Sequence, residues 1–224
     1  MCGRFALIDT VEEIKSQFSV ENEFELKPDF NIFPTHEVVC VVEPEPHHRQ
    51  CVFYRWGLIP SWTTERTKLR NWTNARCETV FQTAVFSRPV QSRRCLMLMS
   101  GFFEWQQNAS GKQPYYIHKA NHELLAVAAF WEAWQGEDKM IYSCCLVTCE
   151  ASSLMKPIHH RMPVLLNTEQ QKIWLNNTRF SQEELMALMR PHEDDELIAY
   201  PVTPLVNRPQ FNNPLALEPY FERS

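Results

Sequence analysis

Apolar positions along this chain fall into short, bounded runs, and each run reads as a strand rather than a helix. Six stand out: His36 to Glu43, Gln50 to Tyr54, Arg94 to Met99, Gln113 to His118, Leu124 to Trp131 and Met140 to Thr148. Asn108-Ala109-Ser110-Gly111 carries turn residues between Phe103-Glu104-Trp105 and Tyr115-Tyr116-Ile117, which predicts a hairpin. Helical starts are few. Thr10-Val11-Glu12-Glu13 is a capping box opening a short helix through Phe18. Thr168-Glu169-Gln170-Gln171 and Ser181-Gln182-Glu183-Glu184 repeat that signal before Ile173-Trp174-Leu175 and Leu185-Met186. Strand runs with short turns and a few helices predict an α+β fold: one domain over residues 1–224, built on a curved, mostly antiparallel, barrel-like sheet. The longest irregular stretch, Ile59 to Val90, is too long to be a plain connection in such a domain and points to function.

Composition supports a packed core. Hydrophobic residues make up 44% and charged residues 22%, which argues against disorder, and no apolar run approaches a membrane span. Fifteen prolines against five glycines make the connections stiff. The opening Met1-Cys2-Gly3-Arg4-Phe5 lacks the apolar region of a secretory leader, so a cytoplasmic, reducing setting is expected. The eight cysteines then read as thiols; those in Val38-Val39-Cys40-Val41-Val42 and Cys95-Leu96-Met97-Leu98 are expected as small buried hydrophobes. No Cys-x-x-Cys pair and no phosphate-cradling glycine loop is present, so neither a metal nor a cofactor is expected.

The net charge of −5 argues against nucleic-acid binding by bulk electrostatics. Its distribution changes the picture. From Arg55 to Arg94 the chain carries eight basic residues (Arg55, Arg66, Lys68, Arg70, Arg76, Arg88, Arg93 and Arg94) against Glu65 and Glu78 alone, while acid gathers at Glu183-Glu184 and Glu193-Asp194-Asp195-Glu196. That is compatible with a local phosphate track and equally with a solvated face. Trp56, Trp62 and Trp72 lie among these cations, as stacking platforms for unpaired bases would, although at least one is expected in the core.

Four residues can carry chemistry. If Met1 is removed, as the small Cys2 side chain permits, Cys2 presents an α-amine of pKa about 7.7–8.0 beside a thiol of pKa about 8.5. Such a 1,2-aminothiol condenses with an aldehyde to an iminium and closes to a thiazolidine, which an internal cysteine cannot do. From Met-Cys alone, an incidental second residue remains the favoured reading. Glu104 sits in the aromatic run Gly101-Phe102-Phe103-Glu104-Trp105, where burial would raise its pKa into a range useful for proton transfer; an edge glutamate facing water fits the pattern nearly as well. His159 and His160 are fixed between Pro157 and Pro163, beside Arg161, and read either as acid–base groups or as surface histidines. Asn74 can orient a hydroxyl or carbonyl, and Arg76 can hold a phosphate.

Taken together, and in this order, the segments Met1-Cys2-Gly3-Arg4-Phe5, Phe30-Asn31-Ile32-Phe33-Pro34-Thr35, Trp56-Gly57-Leu58-Ile59-Pro60, Asn74-Ala75-Arg76-Cys77-Glu78-Thr79, Arg93-Arg94-Cys95, Gly101 to Trp105, Gln113-Pro114-Tyr115-Tyr116 and Ile158 to Pro163 resemble the SRAP family of abasic-site-processing proteins. The resemblance runs from residue 1 to about Pro209. It implies a Cys2 thiazolidine crosslink to abasic sites in single-stranded DNA at replication forks; a monomer with no membrane partner is expected beside it. It also implies that Asn74 and His159 engage the opened sugar, that Glu104 moves protons, and that Arg4, Arg76 and Arg161 contact DNA. His159 is preferred to His160 because it follows Ile158. Weak lyase activity and self-removal of Met1 belong to the same expectation. Two departures stand out: Ser100 where the family commonly has Asp, and Val206-Asn207-Arg208 in place of Val-Asn-Asn. Two rival readings stay open, a cysteine peptidase using Cys2, His159 and Asn74, and a non-covalent binding module in which Cys2 is idle.

Overall fold

The computed structural model describes residues 2–64, 71–109, 111–136, 139–177, 180–192 and 196–221. Five of its strands close on one another: β3 (Glu37–Glu45), β4 (His48–Trp56), β6 (Arg94–Met99), β9 (Leu125–Gln135) and β10 (Met140–Glu150). Antiparallel pairing runs from β4 through β3, β6 and β9 to β10, and a short parallel pairing of Ser143 and Cys144 with Arg55 and Trp56 closes the ring. Closure removes the sheet edges and lets apolar residues be buried on both faces, as the all-buried β6 shows. Inside, the Cys40 and Cys144 sulfurs stand 4.0 Å apart.

Two short strands hang on β10: β5 (Asn74–Arg76), parallel to it at Leu146–Thr148, and β11 (Arg161–Pro163), antiparallel at Thr148–Glu150. The second sheet is antiparallel, in the order β12 (Leu197–Pro201), β8 (Gly111–Lys119), β7 (Gly101–Asn108), β1 (Phe5–Leu7) and β2 (Asp29–Ile32). The β7–β8 hairpin brings Asn108 opposite Gly111, as the turn residues predict; Ser110 lies outside the described residues.

Three helices follow the capping signals. In α1 (Val11–Phe18) and α4 (Gln182–Leu188) the reciprocal bonds form at Thr10/Glu13 and Ser181/Glu184, as expected. In α3 (Thr168–Leu175) the cap is Asn167 rather than Thr168: its side chain accepts the Gln170 N–H at 2.9 Å and Gln170 returns the bond. α3 seals the barrel, its Trp174 indole donating to the Cys95 and Ala129 carbonyls at 3.0 and 3.1 Å. The fourth helix, α2 (Pro89–Ser92), is one turn long. No described helix is long and apolar enough to cross a membrane.

Part of the expected basic track is engaged within the protein, while Arg76 and Arg88 are exposed. The Arg94 guanidinium is buried and donates to the Trp174, Val90, Gln91 and Asn176 carbonyls, so it caps helix ends rather than meeting phosphate. Arg93 pairs with the buried Glu132, and Arg55 donates to the Gly57 carbonyl and the Asn71 side chain. Arg66, Lys68, Arg70, Glu193, Asp194 and Asp195 lie outside the described residues. Trp56 is fully buried, the core tryptophan of its trio, and Trp62 is exposed.

The barrel hands the chain to the second sheet at Ser100, between β6 and β7. Ser100 N–H donates to the Ala6 carbonyl, and its hydroxyl accepts the Ile8 N–H at 2.8 Å while donating to Asp9. The serine thus recruits a carboxylate from β1's far end to the corner. The next residue has no room for a side chain: a Cβ on Gly101 would lie 2.5 Å from the Tyr116 ring and 2.6 Å from the Ile117 carbonyl. Gly101→Ala is therefore expected to cost about 1–3 kcal/mol in urea unfolding. Unchanged stability would mean that the corner is not packed as described.

Candidate active site at the junction of barrel and sheet

A three-residue strand holds the N-terminal end of the chain. β1 pairs with β2 on one side (Phe5 opposite Ile32) and β7 on the other (Phe5 opposite Phe102), and the Phe5 ring packs on Trp56 of the barrel at 5.3 Å between centroids. Arg4 extends the anchor: its carbonyl accepts the Phe103 N–H, and its guanidinium donates to Asn31 Oδ1 (3.0 Å) and the Val206 carbonyl (2.8 Å). Asn31 is itself buried and donates to the Val206, Arg208 and Phe211 carbonyls, clasping the C-terminal segment against β2. The consequence is that Cys2 is fully buried. Met1 lies outside the described residues.

Burial sets the protonation of the groups around it. Glu104, on β7, is 2% exposed, and loss of solvation raises its carboxyl to about 7. The same loss, with the Glu104 charge added, pushes the Cys2 thiol well above its ordinary range. His159 Nδ1 stands 3.9 Å from Glu104 Oε1, and burial lowers its pKa, which favours the neutral imidazole. Nδ1 also lies 3.1 Å from the Arg161 backbone N and 3.2 Å from the Arg161 carbonyl, so the Arg161 backbone holds the ring in either tautomer. The tight turn before His159 is tied to β7 by Gln106, whose amide donates to the Pro157 carbonyl at 3.0 Å.

The sequence candidates do not all converge. Cys2, Glu104 and His159 are brought together, and a cavity of about 580 Å³ opens beside the last two, lined by Glu104, Trp105, Gln107, Lys112, His159 and Asn207. Asn74 stands on β5, outside that lining. Its Nδ2 donates to Thr73 Oγ1, and its Oδ1 is buried with no hydrogen-bond partner among the described residues. A buried acceptor left open in this way costs free energy that a bound hydroxyl or N–H would recover. Arg76 is exposed on the same strand. Arg161 is not: it is buried, forms a two-pronged pair with Glu78 (2.6 and 3.0 Å) and donates to the Thr148 carbonyl, joining β11 to β10. Trp62 stands by the β9–β10 hairpin, next to Thr63, whose carbonyl accepts from Trp134 at 2.6 Å.

Several contributors carry no catalytic residue type and were passed over in the sequence. Asn31 could have been suspected from its place between Phe30 and Ile32. Asn207, whose Oδ1 accepts from the Trp105 indole at 2.8 Å, lies in the divergent Val206-Asn207-Arg208 segment and gives that segment a part in the cavity wall. Lys112 and Gln106 had no signal of their own.

The chain matches the family described as SOS response associated peptidase (SRAP) over residues 1–209. It is similar to the abasic site processing protein YoqW of Bacillus subtilis (strain 168), 34% identical over 223 residues, covering 97% of this chain and 99% of that one. It is also similar to the abasic site processing protein HMCES of Gallus gallus, 33% identical over 192 residues, covering 74% of this chain and 56% of that one. In fold it is similar to a crystal structure of a protein from Bacteroides thetaiotaomicron, with a TM-score of 0.89 at 23% identity, covering 98% of this chain and all of the other.

The raised Glu104 carboxyl predicts a pH-dependent stability. Between about pH 4.5 and 7 the folded chain holds a proton that the unfolded chain releases, so the contribution is complete below the unfolded value and is lost as pH rises through 7. Denaturant unfolding of the wild type should therefore weaken across that window relative to Glu104→Gln, by on the order of 3 kcal/mol at most. Parallel curves for the two proteins would show that Glu104 ionises normally.

Proposed function

The chain belongs to the SOS response associated peptidase (SRAP) family, and from that premise we propose that it acts on abasic sites in single-stranded DNA by bonding to them through Cys2. The observation that carries the reading is the burial of Cys2 against a carboxyl of pKa about 7 and a histidine of lowered pKa. Loss of Met1, by an aminopeptidase or by the site itself, frees the amine.

An abasic sugar is mostly a closed hemiacetal, and opening it takes a proton from O1 and gives one to the ring oxygen. Glu104 and His159, 3.9 Å apart, are suited to those two transfers near neutral pH, and the open Asn74 oxygen can accept from a sugar hydroxyl. The Cys2 amine then adds to the aldehyde carbon and water leaves, giving an iminium. Because the thiol is held protonated, the amine acts first. Addition of the sulfur forms the C–S bond; its proton passes through Glu104, and the iminium nitrogen becomes a ring amine. Without the sulfur step, the iminium permits β-elimination, hence weak lyase activity.

A peptidase using the same cysteine needs a thiolate stabilised by an imidazolium, the reverse of the shifts at Cys2 and His159. Exposed Arg76 is the phosphate contact nearest to Asn74 in the chain. Arg4 brings charge to the site while bracing its wall, Arg161 has its charge matched by Glu78 and serves as a brace, and Trp62 offers a stacking face farther along the strand.

Cys2→Ser keeps the amine and loses the sulfur. On abasic single strands it should give no adduct stable to denaturation, yet an adduct trappable with borohydride. A stable adduct without reductant would show that the sulfur is not needed. Glu104→Gln should slow wild-type crosslinking about 10²–10⁴-fold, as loss of a general acid or base does; a wild-type rate would remove Glu104 from the chemistry.

A further inference from the structure

The cavity beside Glu104 and His159 has a charge arrangement that the crosslinking chemistry does not require. Lys112 is the one lysine or arginine among its described lining residues. It lies on β8 directly across the hairpin from Gln107, two residues along β7 from Trp105 and three from Glu104, and strand alternation puts it on the Trp105 side of the hairpin. Of the other ionisable lining groups, Glu104 has its carboxyl raised to about 7 and is only partly ionised near neutral pH, and the lowered His159 pKa favours the neutral ring. Among the described residues, Lys112 is therefore the one cationic side-chain type on a cavity wall shared with Glu104 and His159. Its volume, about 580 Å³, falls within the range of small-molecule sites, roughly 300–1,000 Å³.

On this basis we propose that the cavity is a phosphosugar subsite with Lys112 as its phosphate anchor, so that the mature chain also captures free phosphorylated aldoses covalently. The inference rests on the Cys2 aminothiol reading above. The bond changes are the same as on DNA: the aldehyde oxygen leaves as water when the amine forms the iminium, and the thiol adds across the carbon–nitrogen bond, its proton ending on nitrogen. No oxidant or reductant is consumed. Lys112 takes no part in those steps; it pairs with the dianionic phosphate, which places the aldehyde end toward Cys2.

The test is intact-mass measurement of the Met1-free protein incubated with 2-deoxyribose 5-phosphate or with 2-deoxyribose, beside a parallel incubation with an abasic single strand. The expected product is the protein plus the sugar phosphate less one water, forming about tenfold faster than with the unphosphorylated sugar, an advantage that falls as salt rises. Lys112→Ala should bring the ratio of the two rates to about one, and Lys112→Arg should retain most of it. If the abasic strand crosslinks while the sugar phosphate gives no adduct or no advantage over the bare sugar, the subsite is overturned and the DNA reading stands. An unchanged ratio in Lys112→Ala overturns the role of Lys112. If neither the strand nor the sugars react, the aminothiol reading itself falls.

Discussion

Everything proposed for this protein depends on a three-residue strand. β1 is short, but it is paired on both edges and pinned to the barrel by the Phe5–Trp56 contact. Chain ends are ordinarily the least ordered part of a domain. Here residue 2 is instead fully buried, at the seam where β6 of the barrel turns at Ser100 into β7 of the sheet. The Arg4–Asn31–Val206 bonds add the C-terminal segment to the clamp, so both ends of the chain build one site.

Burial at that seam sets the protonation of its groups. A carboxyl, an imidazole and a thiol removed from water all shift toward their uncharged forms, because each charged form loses solvation. For Glu104 that means a value near 7, where it can give and take a proton with similar ease. For Cys2 it means a thiol, not a thiolate, which distinguishes the site from one built to activate sulfur as a first nucleophile. In the proposed mechanism the α-amine therefore leads, and sulfur follows once an iminium is in place. A site of this kind gives up stability to hold Glu104 out of water.

Local features were legible in the sequence to the degree that they are local. The apolar run at Arg94–Met99 coincides with β6, and the Thr10 and Ser181 boxes cap as written. At α3 two adjacent residues can cap, Asn167 and Thr168, and the pattern alone does not choose between them. Barrel closure through the parallel β4–β10 pairing joins segments about ninety residues apart and leaves no local signature. Residue type pointed to Cys2, Glu104 and His159 because their chemistry is distinctive, and the fold brings those three together. Arginine type was a poorer guide. Arg94 and Arg161 have the charge for phosphate but spend it on carbonyls and on Glu78, and charge says nothing of which way a side chain turns. Lys112 and Asn207 reach the cavity through the β7–β8 hairpin and the C-terminal clasp, neither of which announces a site.

The central claim is that the free α-amine of Cys2 is the group that reaches the aldehyde first. It is tested most directly by a protein carrying an N-terminal extension that cannot be removed, incubated with an abasic single strand and resolved on a denaturing gel. The extension turns that nitrogen into an amide without a nucleophilic lone pair while leaving the sulfur, Glu104 and His159 in the chain. The predicted result is no shifted species, with or without borohydride, beside a shifted species for the Met1-free protein. A denaturation-resistant DNA adduct on the extended protein would contradict the aminothiol mechanism.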